Sequence, residues 1–106
     1  MLIYLLRHGD AAQSPSLHDS ERPLTELGRR QSETVARFLQ RSNATISTIF
    51  CSSLQRAQQM AQPTRKLLNV NRLISTEYLV PGSDVRQLFE QINSNIAESV
   101  LLVGHE

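Results

Sequence analysis

The chain has 106 residues, with 11 basic and 10 acidic side chains, a net charge of +1 and one cysteine. That length holds a single domain over residues 1–106, and the near balance of charge carries neither a nucleic-acid footprint nor a membrane-binding face. The lone thiol, Cys51, excludes an internal disulfide and fits a reducing, cytoplasmic setting, and the longest apolar runs, 2–6 and 100–103, are too short to span a bilayer.

Leu2-Ile3-Tyr4-Leu5-Leu6 is a continuous apolar run ended by Arg7-His8-Gly9, the pattern of a strand covered on both faces and central in a parallel sheet. A polar loop follows from Ala11 to Pro23. Apolar residues at Leu24, Leu27, Val35, Phe38 and Leu39, with Thr25 as N-cap and Asn43 as stop, predict a helix over residues 26–40. Thr48-Ile49-Phe50-Cys51 reads as a second strand. Leu54, Ala57, Met60, Ala61, Thr64, Leu67 and Leu68 then step by threes and fours along a second helix, in which Pro63 predicts a kink or a division. Leu73-Ile74-Ser75 makes a third, weaker strand, and the loop 77–83 carries Pro81-Gly82. Val85, Leu88, Phe89, Ile92 and Ile96 form the stripe of a third helix capped by Ser83 or Asp84, before a buried fourth strand over 100–103. This alternation implies a three-layer α/β/α fold with a mainly parallel central sheet. Gly104-His105-Glu106 follow a core strand directly with no helix to cover the face it opens, so the domain is expected to be truncated at its C-terminal end.

Ligands of open α/β sheets bind at the carboxyl ends of the strands, where loops converge and helix N-termini point. Three such ends carry notable residues here: Arg7, His8 and Gly9; Cys51-Ser52-Ser53 leading to Arg56; and Gly104 with His105. Two Arg and two His around one pocket suit a dianion, and Arg, which supplies ten of the eleven cations, matches phosphate oxygens two at a time. Arg56 falls in the first turn of its helix, where the macrodipole disfavours a cation by up to about 1 kcal/mol, a penalty that a bound phosphate reverses. Ser52 or Ser53 can cap that helix, and Ser52 with Gln55 has capping-box spacing. Arg22, held extended by Pro23, either reaches toward the pocket or pairs with Glu21 or Asp19 outside it. His18 reads as a solvated loop side chain, and Gly9 and Gly104 either admit a ligand close to the backbone or are plain turn glycines.

Arg7-His8-Gly9 after an N-terminal strand, Arg22-Pro23-Leu24-Thr25 with Gly28, Ser52-Ser53-Leu54-Gln55-Arg56-Ala57 and Gly104-His105 together resemble the histidine phosphatase superfamily, whose fold is that of the phosphoglycerate mutases. Asp10-Ala11-Ala12 and the short Pro81-Gly82-Ser83-Asp84-Val85 stretch are most similar to the small phosphohistidine phosphatases of the SixA type. The resemblance implies that His8 is the nucleophile, that Arg7, Arg56 and His105 cradle the phosphoryl oxygens, that Gly9 and Arg22 contribute to substrate binding, and that a histidine-containing phosphotransfer domain or another phosphorylated protein is the partner. It implies neither metal nor cofactor, and the three Asp residues form no paired-carboxylate motif for a two-metal site. Neighbouring Arg charges favour the neutral imidazole that a nucleophilic His8 requires.

A general acid is not evident. Glu77, Asp84, Asp10 and Glu106 are the candidates, and an imidazole leaving group needs less protonic help than an alkoxide. Three other readings compete. One is a metabolite phosphomonoesterase or mutase of the same superfamily, and another a phospho-ligand binding module without turnover. The third takes Cys51-x4-Arg56 as a cysteine-phosphatase loop, but it is one residue short of the Cys-x5-Arg pattern and Cys51 more simply ends a buried strand.

Overall fold

The computed structural model describes residues 2–7, 9–13, 16, 18–80, 82–94 and 99–104, so His8, His105, Glu106 and Ile96 lie outside the described residues. Four strands and three helices alternate: β1 (Leu2–Arg7), α1 (Glu26–Arg41), β2 (Thr48–Ser52), α2 (Gln55–Leu67), β3 (Arg72–Thr76), α3 (Val85–Ser94) and β4 (Ser99–Gly104), with 3-10 turns at Asp19–Glu21 and Glu77–Leu79. Among the described residues the strands of the sheet pair in parallel, in the order β1-β4-β2-β3.

The period-2 alternation of the two inner strands divides the core. Ile49, Cys51, Leu101 and Val103 face α1 and α2, packing with Ala57, Met60, Ala61 and Leu39. Phe50, Val100 and Leu102 face the other way onto Leu88 and Ile92 of α3. The three-layer architecture expected from the strand and helix order is therefore present. Among the described residues no helix is long and apolar enough to cross a membrane.

Two expectations about these elements need correction. Among the described residues the first strand is not central: β1 pairs with β4 alone and stands at the edge of the four-stranded sheet, with Tyr4 and Leu6 packed on the α1–α2 side while Leu5, at 79% exposure, and Ile3 point out of the opposite face. A run of five apolar residues has no marker for which neighbours cover it. In α1 the buried stripe is Gly28, Ser32, Ala36 and Leu39, and Leu27 and Phe38 are exposed. Leu24, Val35 and Leu39 of the expected stripe do face the core, and the small residues between them let the helix approach its neighbours closely, so hydrophobicity alone finds only part of the buried face. Of the two outcomes expected at Pro63, a division does not occur: α2 continues from Gln55 to Leu67 as one element with Pro63 inside it. Asn43, in the left-handed region at φ 56°, does stop α1 as expected.

Candidate active site

The carboxyl ends of the strands meet at one end of the sheet, where Arg7 is in register with Gly104 and Ser52 with Thr76. The chain leaving β1 is tied down there at several points. The Asp10 N–H donates to Gln31 Oε1 at 2.9 Å, and Asp10 O accepts from Thr25 N–H at 2.9 Å. The Thr25 hydroxyl donates to Asp10 Oδ2 at 2.7 Å while accepting from Gly28 N–H at 3.1 Å, so the N-cap of α1 also fastens the segment after β1. The Ala12 N–H donates to Pro23 O at 2.8 Å, Ala11 bridges Leu24, and the Leu24 N–H donates to Gln59 Oε1 of α2 at 2.7 Å. Residues 9–13 and 22–25 thereby form a braced pair of segments beside α2.

Arg56 stands in the first turn of α2 with only 2% of its surface exposed. Its guanidinium donates through Nη1 to Asp19 O at 2.7 Å and through Nη2 to Asp19 Oδ2 at 3.2 Å. A buried cation in a helix's first turn opposes the macrodipole and loses hydration, and it persists where anionic or carbonyl oxygens meet it. Asp19 accepts on its other oxygen from Arg22, at 3.1 Å from Nε and 2.7 Å from Nη2, and Arg22 Nη1 donates to Ala12 O at 3.3 Å. The hydrogen bond from Arg22, and after it the one from Arg56, holds the Asp19 carboxyl below the usual carboxylate range. Of the two readings of Arg22, the pairing with Asp19 is the one observed, and Asp19 links that pair to Arg56.

One capping expectation changes. The N-cap of α2 is Leu54, which has no side-chain acceptor to offer; Ser52 is the last residue of β2, and its hydroxyl accepts from Leu54 N–H at 3.2 Å. The helix N-terminus is thus not closed by the serine cap that the sequence suggested. Gly9 and Gly104 admit close neighbours from within the chain: a Cβ would meet Gln31 Oε1 at 2.7 Å at Gly9 and Leu79 O at 2.9 Å at Gly104. Asp84 accepts from Arg86 N–H at 2.9 Å and so caps α3 as expected, while Glu77 lies exposed in the second 3-10 turn and His18 is exposed. Cys51 is fully buried within β2 and its thiol is pushed up to about 12 by burial, which leaves it neutral and out of reach of any ligand.

Asp19 was not legible as a site residue. The Asp-x-x-Arg spacing to Arg22 was visible, but the contact with Arg56 spans 37 residues of sequence. Gln31 and Gln59 gave no signal at all, since exposed glutamines on amphipathic helices are ordinary. A groove of about 950 Å³ along α1 and α2, lined by Arg29, Glu33, Gln62 and Lys66 among others, contains none of the sequence-predicted site residues.

The model of the histidine phosphatase superfamily, branch 1, matches residues 3–79, which include Arg7, the 9–25 segments and Arg56. The chain belongs to the histidine phosphatase superfamily. As a member of that superfamily it is 29% identical to the phosphohistidine phosphatase SixA of Escherichia coli, over 99% of this chain and 67% of the relative. The solved structure of the protein histidine phosphatase SixA complexed with tungstate superposes with a TM-score of 0.88 at 29% identity, covering 99% of this chain and 69% of that one. A protein assigned as phosphohistidine phosphatase SixA in Agrobacterium tumefaciens gives 0.86 at 26% identity, over 98% and 68% of the two chains. The α-ribazole phosphatase of Shigella flexneri, at 16% identity and a TM-score of 0.71 over 100% and 74%, shares the fold.

Proposed function

We propose that this histidine phosphatase is a protein phosphohistidine phosphatase. Arg56 carries the reading: a guanidinium nine-tenths and more buried, at the N-terminus of α2 and the carboxyl end of the sheet, oriented by a carboxylate and a carbonyl. Such a group is a preorganised donor for the equatorial oxygens of a transferring phosphoryl group. The likeness to SixA along 99% of the chain supports the choice of phosphohistidine as substrate.

In this reading His8 attacks phosphorus as the phosphohistidine N–P bond of the substrate breaks, the leaving imidazole takes a proton from water, and His8 becomes phosphorylated. Water then attacks the same phosphorus, releasing inorganic phosphate and regenerating His8. Arg7, Arg56 and His105 stabilise the charge in both steps, Gly9 keeps the chain beside the nucleophile slim, and Arg22 acts through Asp19. No metal or cofactor takes part. Two carboxylates at this end of the sheet, Asp10 and Asp19, serve as hydrogen-bond acceptors for Thr25 and for Arg22 and Arg56. A substrate whose leaving group needs little protonation suits such a site. The partner that fits is a phosphorylated protein with an exposed phosphohistidine, of which a histidine-containing phosphotransfer domain is the simplest example.

Steady-state kcat/KM tests the substrate class. A phosphohistidine protein should be favoured over a sugar phosphate or 3-phosphoglycerate by at least about 100-fold, the lower end of what a general acid supplies. Equal cleavage of both classes would replace this reading with a metabolite phosphatase, and binding without release of phosphate would replace it with a phospho-ligand binding module.

A further inference from the structure

We infer that Asp19 is a positioning residue, holding the guanidinium of Arg56 in the plane in which it meets the phosphoryl group. The inference rests on the function proposed above, and it goes further by naming what orients the cradle.

The geometry makes the case in three steps. Arg56 is held at two different terminal nitrogens by one residue, Nη1 on the main-chain oxygen and Nη2 on the carboxylate, which fixes both the position and the rotation of a planar group. The carboxylate cannot turn freely to follow, because its other oxygen receives Nε and Nη2 of Arg22, and Arg22 is anchored in turn on Ala12 O. Arg22 and Arg56 therefore form a chain through Asp19 that joins the segment after β1 to the first turn of α2. Lastly, the Asp19 side chain is 61% exposed, so it is not retained as part of the apolar core; its interactions run to the two arginines.

The charge balance separates this role from simple binding. Removing the carboxylate leaves two guanidinium charges less neutralised, which favours a phosphate dianion electrostatically, while Arg56 loses part of its orientation. Ground-state binding and turnover should then move apart, since misplacement of a catalytic group by a fraction of an ångström is felt in the transition state.

The test compares Asp19→Asn and Asp19→Ala with wild type and with Arg56→Ala. The readouts are kcat on a phosphohistidine protein, inhibition by inorganic phosphate, and the guanidinium NMR signals of Arg56. The expected result is a fall in kcat of about tenfold in both Asp19 variants, with inorganic phosphate bound at least as tightly as by wild type. The Arg56 Nη signals should be resolved in wild type and averaged in the variants. A kcat within twofold of wild type in the Asp19 variants, together with an inactive Arg56→Ala, overturns the inference and leaves the proposed function standing. Averaged Arg56 signals in the folded wild type overturn it without recourse to any variant. An active Arg56→Ala removes the proposed site itself.

Discussion

Replacing His8 by alanine should abolish turnover of a phosphohistidine protein, whereas replacing Cys51 by serine should leave kcat within about twofold of wild type. In the proposed reading the covalent route has one nucleophile, and the proposed cradle of Arg7, Arg56 and His105 would bind the phosphoryl group without accepting it. Cys51 is the thiol nucleophile that the sequence offers as an alternative. It sits inside the α1–α2 core beside Leu101 and Ala57 rather than at the strand end, and burial pushes its thiol up to about 12. The cost of Cys51→Ser should appear in stability instead: a hydroxyl without a partner in that core destabilises by roughly 1–3 kcal/mol. The pair of variants is read by phosphate release and by thermal melting. Full activity of His8→Ala, or its loss in a folded Cys51→Ser, moves the chemistry to the thiol.

Arg56→Ala should lower kcat by about 10³-fold, equivalent to roughly 4 kcal/mol of transition-state stabilisation. The deleted guanidinium is the link between α2 and the turn at Asp19–Glu21 and, in the proposed reading, a donor to the developing charge. Arg56→Lys separates the two contributions. Lysine restores a positive charge but not a planar fork, so it cannot reproduce the two bonds to Asp19 while facing a phosphate, and kcat should stay about 10²-fold below wild type. A lysine variant with near-normal kcat would show that charge alone suffices and that the fork geometry has no part in the rate.

The elements themselves were legible because their signals are local. Thr25 was read as the cap of α1 from its place before an apolar period, and its hydroxyl accepts from Gly28 N–H. Arg56 could be placed at a helix N-terminus because the α2 stripe fixes where that helix begins. Features that depend on spatial neighbours were not legible. Strand order decides that β4 lies between β1 and β2, and it leaves Ile3 and Leu5 on an open face that the apolar run in isolation cannot foretell. The close seat of Gly28 against the Asp10 carbonyl shows why a residue without a side chain stands in the buried stripe of α1, a choice that hydrophobic periodicity does not register although it places Val35 and Leu39 correctly. Asp19 belongs to the same class. A polar loop residue acquires its role only when Arg56, 37 positions later, folds against it. For the candidate site, sequence therefore named the residues proposed to touch phosphate and missed the ones that hold them in place.

The most direct measurement is the site of phosphorylation in the trapped intermediate. Wild-type protein quenched during turnover of a phosphohistidine substrate, digested under alkaline conditions and mapped by mass spectrometry should carry an acid-labile phosphoramidate on the peptide containing His8. A phosphoryl group found on Cys51 or on a serine, or active turnover in which no labelled peptide can be trapped by rapid quench, would contradict the account.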